Sequence, residues 1–206
     1  GTTSEDCLYL NVTAPSAPAA APRPVMVWLH GGGGTVGNGA EYDARRLALQ
    51  GDVVVVTVNY RLGALGSLSL PGRRDGGTYG LADMVAALKW APGNAAAFGG
   101  DARNVTAFGE SNGGFAICGL LTSPAGKGLF DKAAMSSGNC GIDFPPGGFV
   151  QGAPAVHKFI PKAAADAVGK GVAKDLGCTR RVLSCLRKVP AAKFVDAPLD
   201  FYATGT

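Results

Sequence analysis

The sequence has no long hydrophobic run and no extended basic cluster. Its longest apolar stretch, Val53 to Val58, is far shorter than the roughly 20 residues of a membrane-spanning helix, so it predicts a buried strand. Basic pairs such as Arg180-Arg181 are isolated, which argues against nucleic acid as a partner. No basic segment followed by an apolar one stands after Gly1, so a signal peptide is absent or lies outside this sequence.

Charge is also scarce. Charged residues make up 17% of the 206 residues, and the 19 basic and 15 acidic side chains give a net charge of +4. These residues are scattered along the chain, which is typical of a solvated surface. Hydrophobic residues make up 47%, which predicts a globular chain, and the length favours a single domain. The 32 glycines predict many tight turns and close backbone approaches.

The five cysteines are an odd number. Cys178 and Cys185 stand close together with no further cysteine or histidine beside them, which favours a small-loop disulfide over a metal site. Such a bridge predicts an oxidising compartment, and therefore a secreted or extracellular protein. Cys118 and Cys140 are interpreted as buried free thiols.

Buried apolar runs alternate with helical stretches, which predicts an α/β fold with a mostly parallel sheet flanked by helices. The expected strands are 25–29, 53–59, 104–108 and 132–136. The expected helices are 42–50 with Gly51 as its stop, 81–90 ended by Pro92-Gly93, 94–98, 113–121, one from Pro161 to Gly177, one from a Thr179 cap to Val189, and one opened by Pro190. Residues 60–77 and 138–161 are predicted to be irregular.

The segment Gly109-Glu110-Ser111-Asn112-Gly113 lies between a predicted strand and a predicted helix. A nucleophilic serine must stand clear of the backbone, and a sharp strand-to-helix turn achieves this. The turn crowds the positions two before and two after the serine, which Gly109 and Gly113 suit. We therefore predict Ser111 as a catalytic nucleophile, with an ordinary turn serine as the alternative.

The loop His30-Gly31-Gly32-Gly33-Gly34 follows the predicted strand 25–29. Acyl transfer builds negative charge on a carbonyl oxygen, which backbone N–H groups stabilise by roughly 3–4 kcal/mol per donor. An HGGG-type loop ahead of a nucleophile elbow is the expected partner.

The same glycines formally fit the dinucleotide-binding pattern. That fold requires an acidic residue near the end of the next strand, whereas Asp52 precedes the strand and Asn59 ends it. Nucleotide binding is therefore the weaker interpretation, and no cofactor or metal is expected.

Together these segments resemble the type-B carboxylesterases, the family that includes the cholinesterases. The resemblance covers almost the whole chain, and it rests on the elbow, the His30 loop, and the segments Ser4–Val12, Asn59–Gly63, Tyr79–Asp83, Phe98–Gly114, Gly128–Phe130 and Gly177–Arg187. It implies the α/β-hydrolase fold and an acyl-enzyme on Ser111 formed from a small-molecule ester.

The resemblance also implies residue roles. The N–H groups of Gly32, Gly33 and Asn112 would form the oxyanion hole, Glu110 would organise the polar network beside the nucleophile, and His30 would shape the loop. It further suggests that Cys178 and Cys185 correspond to a family disulfide. Cys7 would pair with an upstream cysteine, which this sequence lacks.

The triad acid and histidine of the family lie beyond Thr206, and the family has a further segment ahead of Ser4. The only histidine after Ser111 is His157, whose spacing does not fit and which is interpreted as a surface residue. We therefore expect residues 1–206 to be a single partial α/β-hydrolase domain, inactive alone, whose remainder continues the chain or forms a separate one. The alternative function is a non-catalytic cholinesterase-like binding or adhesion module.

Asn112 and Gly34 depart from the family pattern. Asn112 replaces the small residue usual after the nucleophile, and Gly34 stands where a bulky residue is common. Both differences lie at the expected acyl site, and neither removes the nucleophile.

Overall fold

The computed structural model describes residues 4–148, 151–152, 155 and 157–195. They fall into two compact units. The sheet unit comprises Asp6–Tyr60 and Leu81–Cys140, and the helical unit comprises the described residues of Gly1–Glu5, Arg61–Gly80 and Gly141–Thr206.

The sheet unit is built on five strands. They are β1 (Leu10–Thr13), β2 (Arg23–Leu29), β3 (Val54–Val58), β4 (Gly100–Glu110) and β5 (Lys132–Ser136), in the order β1-β3-β2-β4-β5. Only β1 runs antiparallel to its neighbour. The predicted mostly parallel sheet is confirmed; β1 is an addition, and β4 is longer than the expected strand 104–108.

The middle of the sheet forms the core. Every residue of β3 is buried, and in β2 the buried residues alternate with half-buried ones. A β-branched run without alternation is typical of a strand covered on both faces. The exposed strand β5 differs from these two, since all five of its residues are exposed.

The helices are α1 (Arg45–Gly51), α2 (Gly63–Ser67), α3 (Tyr79–Asn94), α4 (Asn112–Thr122), α5 (Lys162–Asp175), α6 (Val182–Leu186) and α7 (Ala192–Val195). A 3-10 helix, Ala95–Phe98, follows α3 and ends at the left-handed Gly99. It corresponds to the predicted short helix 94–98.

Two predicted stops in the sheet unit are wrong. Gly51 lies inside α1, and the left-handed residue after it is Asp52, whose backbone N–H donates to the Ala48 carbonyl. Aspartate tolerates this conformation, and Arg23 holds its carboxylate at 2.6 Å. Pro92 lies inside α3, close to its end, where the missing N–H removes only one hydrogen bond.

Two predictions in the helical unit are also wrong. The expected loop 60–77 contains α2, and the helix expected from a Thr179 cap to Val189 is the shorter α6, which follows the left-handed Arg181. Short helices of this kind form through packing rather than propensity. Here Ala64 of α2 and Leu186 of α6 share a buried cluster with Leu70, Ala173 and Phe194.

The structure contains two disulfides. Cys178 and Cys185 are joined as predicted, with their Cα atoms 5.5 Å apart. The interpretation of Cys118 and Cys140 as buried free thiols is wrong, because they form a second disulfide with the same Cα separation. The two cysteines are 22 residues apart, so no local pattern in the sequence indicates the pairing. In the structure, the chain after β5 brings the exposed Cys140 to the buried Cys118 on α4.

Across the described parts of the chain, no helix combines the length and apolar character needed to cross a membrane.

Candidate active site

Ser111 occupies the turn between β4 and α4. Its backbone angles are φ 50° and ψ −115°, a conformation that non-glycine residues rarely adopt. Such strain costs of order 1–3 kcal/mol and persists only where the surroundings impose it. Here the Ser111 N–H donates to the Ser136 carbonyl at 2.8 Å, and the Ser111 carbonyl accepts from the Phe115 N–H at 3.0 Å.

The two glycines that flank Ser111 leave no room for a side chain. A Cβ on Gly109 would lie 2.7 Å from the Leu29 carbonyl oxygen and 2.8 Å from the Gly113 carbonyl carbon. A Cβ on Gly113 would collide with the Leu29 carbonyl oxygen and lie 3.0 Å from that of His30. The predicted crowding on both sides of the serine is therefore present.

The sheet register brings the glycine loop to this turn. Leu29, the last residue of β2, pairs with Gly109 of the parallel strand β4, so both strands end at the same edge of the sheet. A Cβ on Gly31 would lie 3.2 Å from the Ser111 Cβ and would collide with the Glu110 carboxylate. Ser111, Glu110 and the loop after His30 are thus immediate neighbours.

The loop itself consists of glycines in left-handed conformations. The φ angles of Gly32, Gly33 and Gly34 are 95°, 67° and 82°. The Gly32 carbonyl accepts hydrogen bonds from the N–H groups of Thr35 and Val36 at 3.0 and 3.1 Å. The carbonyl of Gly32 is therefore used to close the turn.

His30 is completely buried behind the loop. Its Nδ1 lies 2.8 Å from the Gly31 carbonyl oxygen, and its ring stacks on Tyr60 with the centroids 4.2 Å apart. Burial lowers the pKa of His30, so the neutral imidazole is favoured, and the hydrogen bond to Gly31 opposes this only in part. The placement fits a residue that shapes the loop.

Tyr60 links this loop to the residue after the nucleophile. Its hydroxyl donates to the His30 carbonyl at 2.7 Å and accepts from the Asn112 side-chain amide at 3.1 Å. Burial raises the pKa of Tyr60 to about 12. Sequence reasoning did not single out Tyr60, although it lies in the family segment Asn59–Gly63.

The side chain of Asn112 also lies against Gly34. A Cβ on Gly34 would be 3.3 Å from the Asn112 Oδ1. The two departures from the family pattern therefore meet in space, and the carboxamide occupies part of the volume that a side chain at position 34 would need.

Asn59 is a second residue that sequence reasoning missed. Its side-chain amide donates to the Cys7 carbonyl at 2.9 Å, and its side-chain oxygen accepts from the Gly39 N–H at 2.8 Å. Through these two hydrogen bonds, Asn59 at the end of β3 links the chain before β1 to the turn after the glycine loop.

The other candidate residues have partners of their own. In the helical unit, His157 Nδ1 lies 3.1 Å from Asp143 Oδ1, and both side chains are partly exposed. Asp52, the acid considered for a nucleotide ribose, is engaged by Arg23 at 2.6 Å.

The comparison with protein families gives the class. All 206 residues match the model of the Carboxylesterase family, so the chain belongs to that family. Together with the similarity to a solved PNB esterase structure, this match shows that the chain has the α/β-hydrolase fold.

Individual relatives agree with this assignment. The chain is 55% identical over 139 residues to the para-nitrobenzyl esterase of Bacillus subtilis (strain 168), covering 66% of this chain and 28% of that protein. It is 42% identical over 193 residues to carboxylesterase 3 of Pongo abelii, covering 93% of this chain and 32% of that protein. A solved PNB esterase structure has a TM-score of 0.81 at 43% identity, over 94% of this chain and 38% of that chain.

The chain thus spans about a third of the length of these relatives, or less.

Proposed function

We propose that this chain carries the nucleophile and the oxyanion hole of a serine carboxylic ester hydrolase, as part of one α/β-hydrolase domain. The observation that carries the proposal is the left-handed backbone of Ser111, φ 50°, at a strand-to-helix turn that packs against the glycine loop. The strain costs free energy that an ordinary turn serine avoids, which supports a functional reason for it.

In the proposed reaction, Ser111 Oγ attacks the carbonyl carbon of a small-molecule ester and gives its proton to a histidine base outside residues 1–206. The backbone N–H groups of Gly32, Gly33 and Asn112 stabilise the oxyanion. The intermediate collapses, the histidine protonates the departing alcohol, and an acyl-enzyme remains on Ser111. The same histidine then takes a proton from water, which adds to the acyl carbon. The bond between this carbon and Ser111 Oγ breaks, Oγ regains the proton from the histidine, and the carboxylic acid leaves.

Glu110 and His30 support this site without taking part in proton transfer. The Glu110 carboxylate lies against Gly31, where it can fix the loop beside Ser111. His30 is buried and stacked on Tyr60, and its lowered pKa keeps it neutral. Both are proposed as residues that position the loop.

Active-site labelling tests the nucleophile. A fluorophosphonate probe is expected to label the full-length protein that contains this chain, and Ser111→Ala is expected to abolish the label. Ser16→Ala, which changes an exposed serine, serves as the control and should label like the wild type. Equal labelling of wild type and Ser111→Ala would reject the assignment, and a wild type that takes up no label would favour a binding or adhesion module.

We also propose that residues 1–206 alone hydrolyse esters poorly. Of the two histidines in the sequence, His30 is buried with its ring stacked on Tyr60, and the spacing of His157 from Ser111 does not fit the family. Turnover of p-nitrophenyl acetate by the isolated chain should therefore stay near the rate without protein. Robust turnover that His157→Ala abolishes would contradict this and would make His157 the base.

The two disulfides support a secreted or extracellular location, because cytosolic thiols are kept reduced. The remainder of the hydrolase, whether it continues this chain or forms a separate one, is the proposed partner that supplies the triad acid and histidine.

A further inference from the structure

Both backbone groups of Ser111 contact one short piece of chain, residues 136–140, which we call the clamp segment. The Ser136 carbonyl accepts the Ser111 N–H at 2.8 Å. A Cβ on Gly138 would collide with the Ser111 carbonyl oxygen and lie 3.0 Å from the Phe115 amide nitrogen. The backbone of Gly138 therefore packs directly onto the strained residue.

The clamp segment has little apolar packing of its own. Gly138 is buried, whereas Ser136, Ser137, Asn139 and Cys140 are exposed. Ser137 also has a left-handed backbone, φ 52°. The segment that opposes the strain at Ser111 is thus itself strained. Its first residue, Ser136, pairs with Glu110 of β4, whereas the residues after it lie beyond the sheet.

A covalent bond restrains the other end of the clamp segment. Cys140, at the end of the clamp segment, is bonded to Cys118 on α4, with the Cα atoms 5.5 Å apart. Cys118 is 3% exposed, so this end is held in the core. Because α4 begins directly after Ser111, the disulfide closes a ring formed by Ser111, α4, the bridge and the clamp segment.

We propose that the Cys118–Cys140 disulfide is a positioning element that holds Ser111 in its reactive backbone conformation. This inference rests on the proposed function. Without the bridge, the clamp segment can move away from α4, the Ser111 backbone relaxes toward an ordinary turn, and Oγ leaves its place beside the glycine loop.

The second disulfide provides a matched control. Cys178–Cys185 lies in the helical unit and has the same Cα separation of 5.5 Å. The test compares full-length Cys118→Ala/Cys140→Ala with Cys178→Ala/Cys185→Ala, each normalised to its folded fraction by circular dichroism well below its Tm. The readouts are the fluorophosphonate labelling rate and the kcat and KM for p-nitrophenyl acetate.

We expect loss of the Cys118–Cys140 bridge to lower the labelling rate and kcat at least tenfold while KM stays within twofold. Loss of Cys178–Cys185 should leave the labelling rate within twofold of the wild type. An unchanged labelling rate in the first variant, or an equal fall in both, would overturn the inference. A wild type that is not labelled at Ser111 would instead reject the proposed function.

A second measurement covers the case in which Cys118→Ala/Cys140→Ala does not fold. In the Cys178→Ala/Cys185→Ala background, a phosphine reductant acts on Cys118–Cys140 through the exposed Cys140. Labelling should fall on reduction and return on reoxidation. Unchanged labelling of protein that mass analysis shows to be reduced would contradict the inference.

Discussion

The nucleophile elbow and the glycine loop both depend on glycine, but for different reasons. In the elbow, the left-handed residue is Ser111, while Gly109 and Gly113 are needed because any Cβ there meets backbone atoms. In the loop, Gly32, Gly33 and Gly34 are themselves left-handed. Around Gly33 there is space, since a Cβ would find only the Thr35 hydroxyl, at 3.6 Å.

The elbow and the loop should therefore respond differently to substitution. In the elbow, substitution is limited by the available volume, because Gly109 and Gly113 pack against the carbonyl of Leu29 at the end of β2. At Gly33 and Gly34 the loop is limited by its left-handed backbone rather than by volume, and its N–H groups are proposed to converge on the oxyanion. Substitutions in the elbow should therefore act first on stability, and those in the loop first on the rate of reaction with Ser111.

The largest effect is expected for Gly113→Ala. The new methyl group would meet the Leu29 carbonyl, and backbone cannot move as a flexible side chain can, so the free energy of unfolding should fall by about 3 kcal/mol. Urea denaturation of the full-length protein measures this.

The control for Gly113→Ala is Gly93→Ala, also within a helix of the sheet unit, where a Cβ would meet nothing within 4 Å. That variant should be neutral or more stable by up to about 1 kcal/mol, as alanine favours helix. Equal destabilisation of the two variants would show that volume at the elbow is not the limiting factor.

Gly32→Ala should come next. Its left-handed backbone and the nearby Val36 carbonyl both oppose a side chain, and we expect a stability loss of about 2 kcal/mol. The larger effect should be on labelling, because the N–H at position 32, a proposed oxyanion donor, is retained but displaced from its position, and we expect labelling to slow by up to about 10²–10³-fold.

Gly33→Ala tests the cost of the left-handed backbone without a steric clash of the new side chain. It meets no backbone atom and faces only the cost of its left-handed backbone, so its unfolding free energy should fall by less than that of Gly32→Ala. Labelling should still slow, because the loop N–H groups shift. A Gly33→Ala variant that labels like the wild type would exclude its N–H from the oxyanion hole.

The smallest effect is expected for Tyr60→Phe, which removes the hydroxyl between the two regions. The His30 carbonyl loses its donor and the Asn112 amide its acceptor, so the unfolding free energy should fall by about 1 kcal/mol. Labelling should slow modestly, and double-mutant analysis with Asn112→Ala should give less than additive losses.

Tyr42→Phe is the control for Tyr60→Phe, because Tyr42 is partly exposed and packs its ring 5.0 Å from that of Trp28. The Tyr42 hydroxyl contributes to the raised pKa of Tyr60 but bonds to neither His30 nor Asn112, so removing it should change stability and labelling less than Tyr60→Phe does. Additive losses for Tyr60→Phe and Asn112→Ala would mean that the hydroxyl does not couple the loop to the elbow.

Most of the elements of the sheet unit could be predicted from the sequence, because their signals are local. The run Val53–Val58 and the strand 132–136 required only apolar patterning, and both strands formed close to the expected bounds. The predicted stop at Gly51 failed because Asp52, bound by Arg23, takes the left-handed position after α1. The predicted stop at Pro92 failed because proline so close to the helix end removes only one hydrogen bond.

The candidate site was partly predictable for the same reason. Residues Ser111, Glu110 and the glycine loop belong to contiguous motifs, and the register of Leu29 with Gly109 makes them neighbours. Tyr60 and Asn59 were missed, because their role consists of contacts across long sequence separations, such as Tyr60 with His30 and Asn112.

The family, the order of loop and elbow, and the need for small residues around Ser111 follow from the sequence, because each depends on a few consecutive residues. The contacts that hold Ser111 in place follow from the tertiary structure. The clamp segment, which the Cys118–Cys140 bridge joins to α4, lies well apart from Ser111 along the chain. Their contact exists only because the parallel strands β4 and β5 lie side by side and bring the chain after β5 back over α4.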